Sequence, residues 1–480
     1  MAKRNIGSGR PAPKAGYPAS DRPSGIKPQP TRPKQDDYWE DERPAAAAAD
    51  GGRPKRVYRQ PSTASRRETF STTFAKLWND LFTTPVHLDS ALSKLTPPIK
   101  TLLAQTIPVV LHRPSSTAEA LGIGVAQGEP WSLAGPALSH WRPAQLIGEK
   151  LYDLLVQGGV TTNATLEDFP PHLLAEWQKD WGPATTLRLV AALGGPAPLS
   201  LRASRKFGAT QLLQALTDGD RLPVKAELSN LSPWGVRLGG YAPILNTDLF
   251  ASGAFEIQDE GSQVMSLFAL WPELYAPLLS PVPAALPSKK PKATVEPPRT
   301  LPAKSVVDAC AGAGGKSLAL ADAMGGRGRV FSYDTSAKKL QALTRRATRA
   351  GVNNIQTVTL TLGEEDQVVG KHQASAEIVL VDAPCSGWGV LRRNPDIKWR
   401  QGSDVLTRMP ELQLRLLKLF SRLVAPGGRL VYGVCTFRKA ETTEIVAQFA
   451  KENPEFRPVH GGYLGPGPTD GFFMQAFERV

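Results

Sequence analysis

From residue 305 onward the sequence alternates two patterns so regularly that few architectures accept it. Short runs of β-branched and aliphatic residues, SVVDACAG, GRVFSYD, NIQTVTL, EIVLVDAP and GRLVYGVCTF, are separated by the helix-compatible stretches SLALADAM, AKKLQALTRRATRAG and ELQLRLLKLFSRLV. A strand that is apolar along its whole length has both faces covered, and parallel neighbours need a crossover, usually a helix, between them. The pattern predicts an α/β domain with a doubly wound, mostly parallel sheet. In such sheets the chemistry lies beyond the carboxyl ends of the strands, so the residues that follow each run matter most.

The chain before residue 305 reads differently. Residues 1–66 are rich in Pro, Gly, Ala, Lys and Arg, with too few apolar side chains to offset the entropy of ordering, and predict a disordered basic arm. Residues 67–165 carry TTFAKLWNDLF and AQLIGEKLYDLLVQGG, the second closed by a glycine pair suited to a helix cap, and predict a helical N-terminal domain. Residues 166–255 begin with LLAEWQKDWG, whose Trp177 and Trp181 share one helix face and read as core. They continue with the strand-like PLSLRASR, GVRL and GAFEIQD around the helical ATQLLQALTDG, which predicts a small α+β subdomain. The remainder, 256–480, is the α/β domain, interrupted by a Pro- and Lys-rich stretch, 278–304, expected as an exposed loop.

The formal net charge is +13, and the first 67 residues hold fifteen Lys or Arg against seven Asp or Glu. Such an excess fits either a polyanionic partner or a solvated arm. Three cysteines, Cys310, Cys385 and Cys435, are too few and too scattered for a disulfide framework or a CxxC metal site, and they suit a reducing compartment. No run reaches the roughly 18 apolar residues of a membrane span. The opening MAKRNIGSGRPAPK has charge without an apolar segment behind it, so a cytoplasmic protein without a secretory signal is expected.

Two strand ends carry the chemistry. After the first, VVDACAGAGGKS offers Ala311, Gly312, Ala313, Gly314, Gly315 and Lys316, a turn whose backbone can approach a ligand at the mouth of the next helix. Asp334, nineteen residues beyond Gly315 at the end of the next strand, can accept both hydroxyls of a ribose. Dinucleotide enzymes and S-adenosylmethionine methyltransferases both use such a pair, but the G-x-G-x-x-G and phosphate-loop spacings are absent. The other strand end is VLVDAPCSG, where Pro384 breaks the ladder just before Cys385; by itself that cysteine could be a buried filler, a metal ligand or a nucleophile.

In chain order, DACAGAGGKS, VDAPCSGWGVLRRNPDIKW, LVYGVCTF and the terminal DGFFMQAF resemble the motifs of the Sun-type RNA (cytosine-5) methyltransferases, a group that includes bacterial ribosomal RNA methylases. LSLRASR and FEIQDEGSQ resemble two further segments of that family, so the likeness spans about 168–480 and leaves 1–167 outside it. The resemblance implies a Rossmann-like domain that binds S-adenosylmethionine and an RNA substrate, ribosomal RNA ahead of transfer RNA; the helical N-terminal domain and the small subdomain are expected to guide that RNA together. It implies a monomer without a metal. It places Cys435 as the nucleophile, Cys385 as the residue that assists product release, Asp382 on the target base and Lys316 on the active-site face of the cofactor loop. Lys339, Glu364 and Asp382 join residues 311–316 and Asp334 as cofactor contacts. Arg392, Arg393, Lys398 and Trp399, expected in a loop, become RNA contacts. Cys310, on the strand side of the turn, reads as packing.

The chemistry explains such residues. Carbon 5 of cytosine is too poor a nucleophile to take a methyl group from a sulfonium unaided. A thiolate added to carbon 6 makes the ring an enamine that can attack, a carboxyl group at nitrogen 3 stabilises the charge so created, and the carbon-5 proton must then be removed. The chain departs from the family pattern at Ala313 (usually Pro), Val434 (usually Thr), Thr442 (usually Asn) and TLTLGEEDQ, which offers Gly363 with Glu364, Glu365 or Asp366 in place of Gly-Asp. A catalytically silent RNA-binding factor of the same fold is the rival reading; two thiols at strand ends argue against it.

Overall fold

The structure is a computed structural model that describes residues 166–480 apart from 219–223, 240–241, 284–302, 401–402 and 468, with isolated positions between 70 and 103. The expected arm, most of the helical N-terminal domain and most of the 278–304 loop lie outside the described residues.

Two helices come first, α1 (Pro171–Trp181) and α2 (Pro183–Leu193). Each opens on a proline, which lacks only an N–H that a first turn leaves unbonded anyway. Gly182 between them has φ 77°, a conformation that favours glycine. Their apolar faces, Leu173, Trp177, Leu189, Val190 and Leu193, are buried in one core with Val379, Val381, Leu430 and Tyr432 of the large sheet. The sequence grouped this segment with the small subdomain. Helical periodicity shows that a face is buried but not which sheet buries it.

The small subdomain is a four-stranded sheet in the order β2-β3-β1-β4, built from β1 (Leu199–Ala203), β2 (Ala226–Leu228), β3 (Gly235–Leu238) and β4 (Phe255–Ile257). Every pairing in it is antiparallel. Helix α3 (Ala209–Thr217) covers it with Leu212 and Leu216 against Leu201, Val236, Leu238 and Phe255. The expected boundary at 255 falls inside β4, which pairs with β1 from Phe255 to Ile257. After the short α4 (Asp248–Ala251) and β4 comes α5 (Glu260–Leu270), buried at ten of its eleven residues. Its apolar side chains share a core with Val306, Val431 and Met474 of the large sheet, as expected for a helix covered on all sides. The short α6 (Pro272–Tyr275) follows.

The large sheet is built from β5 (Ser305–Asp308), β6 (Arg329–Asp334), β7 (Ile355–Thr359), β8 (Ala376–Asp382), β9 (Val424–Val434), β10 (Phe456–Leu464) and β11 (Phe472–Arg479), in the order β10-β11-β9-β8-β5-β6-β7. β5, β6, β7, β8 and β9 run parallel, and β11 and β10 add an antiparallel edge. The crossovers are α7 (Gly315–Ala323), α8 (Ala337–Ala350), α9 (Glu365–Gly370), α10 (Ile397–Arg400), α11 (Ser403–Ser421) and, before β10, α12 (Thr443–Glu452). This is the doubly wound α/β fold that the alternation predicts. The chain winds from β5 out to β7 and returns to β8 on the other side of β5, so the crevice between β5 and β8 is the switch point where such folds bind ligands.

Candidate active site

The glycine turn stands at the carboxyl end of β5. Gly312 and Gly314 have φ 55° and 86°, and a Cβ on Gly314 would sit 2.1 Å from Leu343 Cδ1 of α8, so only glycine fits there. Asp334, at the end of β6, accepts the N–H of Gly312 at 2.8 Å and of Ser336 at 2.7 Å. One carboxylate thereby fixes the turn while keeping lone pairs for a ribose. No side chain caps α7, which leaves the N–H groups of its first turn to a ligand. Nothing lies within 4 Å of the Cβ position at Gly312, so the space before the turn is open. This cradle fits S-adenosylmethionine: helix N–H groups for a carboxylate and Asp334 for the ribose. Asp334→Ala removes charge-assisted bonds of about 1.5–3 kcal/mol. Calorimetry should therefore show affinity for S-adenosylmethionine falling at least about tenfold; an unchanged affinity would take Asp334 out of the site.

Behind the turn lies a buried chain that the sequence reading missed. Ser332 Oγ donates to Ser317 Oγ at 2.9 Å, and Ser317 Oγ donates to Asp308 Oδ2 at 2.6 Å. Burial pushes the Asp308 carboxyl from 3.8 up to about 6, the Ser317 bond only partly opposing it. A carboxyl raised on folding lends stability below its unfolded value and loses it as pH rises through the folded one. Two units correspond to about 3 kcal/mol. Against wild type, Asp308→Asn should therefore gain about that much in thermal unfolding between pH 4 and pH 7; a constant gap would contradict it.

The groups that the sequence marks as candidates for the chemistry gather at the ends of β5, β8 and β9. Lys316, in the first turn of α7, reaches across the switch point to Asp382 at the end of β8, Nζ to Oδ2 2.6 Å. Burial pulls the Lys316 ammonium down, but the Asp382 carboxylate outweighs it, and the lysine lies above its ordinary value. Cys385 and Cys435 are both free thiols, their sulfurs 3.3 Å apart. The bond to Cys435, together with burial, pushes the Cys385 thiol well above the ordinary range. Cys310 is likewise pushed up, chiefly by burial and then by Asp382, Asp308 and Asp334, which suits packing better than chemistry.

Strand pairing explains how two cysteines fifty residues apart meet. β8 and β9 are parallel neighbours with Asp382 opposite Gly433, so Cys385 and Cys435 emerge side by side just beyond the ladder. The segment after Cys435 is anchored by the C-terminal motif: Gly389 N–H donates to Cys435 O, and Gly471 N–H to Gly389 O, each at 2.9 Å. A Cβ on Gly471 would lie 1.8 Å from the Phe437 ring, which is why DGF needs its glycine. The tryptophans of α1 brace the same place. Trp177 packs edge-on against Trp388, and Trp181 Nε1 donates to Phe437 O at 3.0 Å.

The expected RNA contacts after β8 are largely turned inward. Lys398 is 1% exposed, donates to Asp168 O at 2.7 Å and lies over the Phe169 ring; burial lowers it to about 7. It ties α10 to the segment before α1 and offers no charge to a phosphate. Arg393 is held between Asp259 and Asp470, both at 2.6 Å. Arg392 donates to the carbonyls of Pro196 and Gly467. Trp399 lies in α10, not in a loop. A charged string in a sequence looks solvated; these cations instead bond carbonyls and carboxylates of the chain itself. Of the third-motif acids, Glu365 is buried and accepts Gly363 N–H at 2.8 Å, whereas Glu364 and Asp366 are exposed. Lys339 is exposed on α8, and Ala313 is exposed in the turn, its carbonyl accepting from Arg346 Nη1. Among the described residues no group of three or more His, Cys, Asp or Glu could hold a metal, and no helix is long and apolar enough to cross a membrane.

A doubly wound sheet with this glycine turn, its ribose-ready aspartate and two thiols at the switch point define the class: a methyltransferase that uses S-adenosylmethionine. The family described as "16S rRNA methyltransferase RsmB/F" matches residues 299–465. A Bacillus subtilis protein named "Probable ribosomal RNA small subunit methyltransferase B" is 30% identical over 348 residues, 68% of this chain and 69% of that one. The chain belongs to this RsmB/F family. The ribosomal RNA small subunit methyltransferase B of Thermus thermophilus is 35% identical over 193 residues, 37% of this chain and 46% of that one. Among solved structures, NSun6 from Pyrococcus horikoshii with SFG aligns with a TM-score of 0.53 at 16% identity, over 66% of this chain and all of that one. A methyltransferase homologue from the same organism aligns with a TM-score of 0.50 at 20% identity, over 68% and 98%. At such identities these two show the fold alone.

Proposed function

We propose that this protein methylates carbon 5 of a cytosine in ribosomal RNA through a covalent cysteine–cytosine intermediate. The observation that carries the reading is the meeting of two free thiols, 3.3 Å apart, at the strand ends beside the Lys316–Asp382 pair. S-adenosylmethionine, when bound, supplies the electrophilic methyl group. Cys435 adds to carbon 6 as a thiolate, and as charge collects on nitrogen 3 it takes up a proton handed from the Lys316 ammonium by way of Asp382. Once Cys435 is bonded to carbon, Cys385 gives up its own thiol proton to solvent, and after carbon 5 is methylated the carbon-5 proton passes to the resulting Cys385 thiolate. The carbon 5–carbon 6 double bond then re-forms, the electron pair of the sulfur–carbon bond returns to Cys435, and nitrogen 3 gives back its proton.

The thiol pair supports this order. Cys385 is raised first by its bond to Cys435, then by burial and by repulsion from that same sulfur, so in the free enzyme it keeps its proton. Once Cys435 is bonded to carbon, both of its effects on Cys385 end, and Cys385 becomes easier to ionise at the step that needs a base. The relatives' names favour ribosomal over transfer RNA as substrate. We further propose a cytoplasmic monomer that needs no metal; the three dispersed cysteines support a reducing compartment. Sequencing 5-methylcytosine in total RNA with and without the gene tests activity and target together. One ribosomal site should vanish with the gene, and an unchanged pattern would refute the reading.

A further inference from the structure

Glu441 is completely buried, yet nothing in the chemistry above uses it. Its Oε2 accepts the N–H of Ser386 at 2.8 Å and Gln413 Nε2 at 2.9 Å, and its Oε1 accepts Arg438 Nη1 at 2.9 Å. Gln413 Nε2 also donates to Pro384 O at 2.8 Å. Pro384 and Ser386 are the two neighbours of Cys385 in the chain, and Glu441 belongs to the segment that follows Cys435. Ser386 Oγ adds a bond to Thr436 Oγ1 at 2.8 Å, and Tyr432 at the end of β9 donates to Glu441 O at 2.7 Å. Both peptide flanks of Cys385 are therefore fastened, through one carboxylate and one amide, to the strand end that carries Cys435.

Gln413 lies on the core face of α11 in line with Leu417 and Phe420, all three fully buried. Its Oε1 has no hydrogen-bond partner. A leucine would fill that place without a buried, unpaired acceptor. What the amide provides, and an apolar side chain cannot, is the grip on Pro384 and Glu441.

We propose that Glu441 and Gln413 are positioning residues that set the distance between the two sulfurs by holding the backbone on either side of Cys385. The proposal rests on the reading that Cys435 attacks and Cys385 releases. The direct ties run to the flanks of Cys385, while Cys435 is already fixed by β9 and by Gly389. Loosening the ties therefore moves the releasing thiol more than the attacking one. A misplacement near 1 Å costs about 10²-fold in rate.

The test uses the full chain with Gln413→Leu and Glu441→Gln, beside wild type and Cys385→Ala. Turnover on ribosomal RNA, the covalent RNA adduct on a denaturing gel and affinity for S-adenosylmethionine are measured for each. The expected result is turnover lower by roughly a hundredfold, adduct accumulating as in Cys385→Ala, and cofactor affinity within about twofold of wild type. A role limited to folding would not build up adduct. The proposal is overturned if both variants turn over like wild type, or if turnover is lost without adduct. Should Cys385→Ala itself trap no adduct, the underlying reading has failed. If that control traps adduct and the two network variants do not, only the positioning role has.

Discussion

Replacing Cys435 with alanine is expected to abolish both methyl transfer and the covalent RNA adduct, whereas replacing Cys385 is expected to preserve attack and leave the adduct in place. Removing the nucleophile of a covalent catalyst costs on the order of 10⁴–10⁶-fold, so Cys435→Ala should fall to background in a single-turnover assay. Cys385→Ala leaves the sulfur proposed to attack, the glycine turn and Asp382 untouched. It removes the group proposed to take the carbon-5 proton, so the sulfur–carbon bond should persist as an RNA-linked band. Because the sulfurs are only 3.3 Å apart, proximity does not by itself say which one attacks. The raised Cys385 thiol does favour Cys435. The opposite pattern, a stable adduct from Cys435→Ala and none from Cys385→Ala, would exchange the roles. Loss of S-adenosylmethionine binding in either variant would mark damaged folding.

Asp382→Ala should lower the single-turnover rate by about 10²–10³-fold, the scale of losing one preorganised group that meets developing charge. The loss has two parts. The carboxyl group proposed to meet nitrogen 3 disappears, and Lys316 loses the partner, 2.6 Å away, that most opposes burial in holding its ammonium charged. With burial then opposed only by Asp308 and Cys435, the lysine shifts downward and stabilises less the negative charge expected on the ring. Asp382→Asn should fall nearly as far, since an amide keeps the shape but not the charge. A rate within tenfold of wild type for both variants would remove Asp382 from the chemistry.

Local pattern carried much of this into the sequence. Apolar runs alternating with amphipathic helices allow little besides a doubly wound sheet. Gly312 and Gly314 of DACAGAGGKS stand where φ is positive, and Leu343 leaves no room for a Cβ at Gly314. The cysteines were legible as strand-end residues because their runs end there. The roles of the polar side chains were harder to read. Arg393 and Lys398 looked like an exposed basic loop, but their partners, Asp259, Asp470 and Asp168, lie 77 to 230 residues away in the chain. Gln413 did leave a trace, a polar residue on the apolar face of an amphipathic helix, but not the identity of what it holds.

The sequence by itself determined the fold class, the glycine turn after β5 and the placement of thiols at strand ends, since each depends on residues close along the chain: periodicity, glycine conformation, and the break made by Pro384. Tertiary structure alone decided that Cys385 and Cys435 meet, that α1 and α2 serve the large sheet, and that Glu441 and Gln413 join the two thiol segments. The meeting of the two thiol segments follows from β8 and β9 becoming parallel neighbours with Asp382 opposite Gly433. Such a register is fixed by the packing of the whole sheet and its covering helices, which no short stretch of sequence contains.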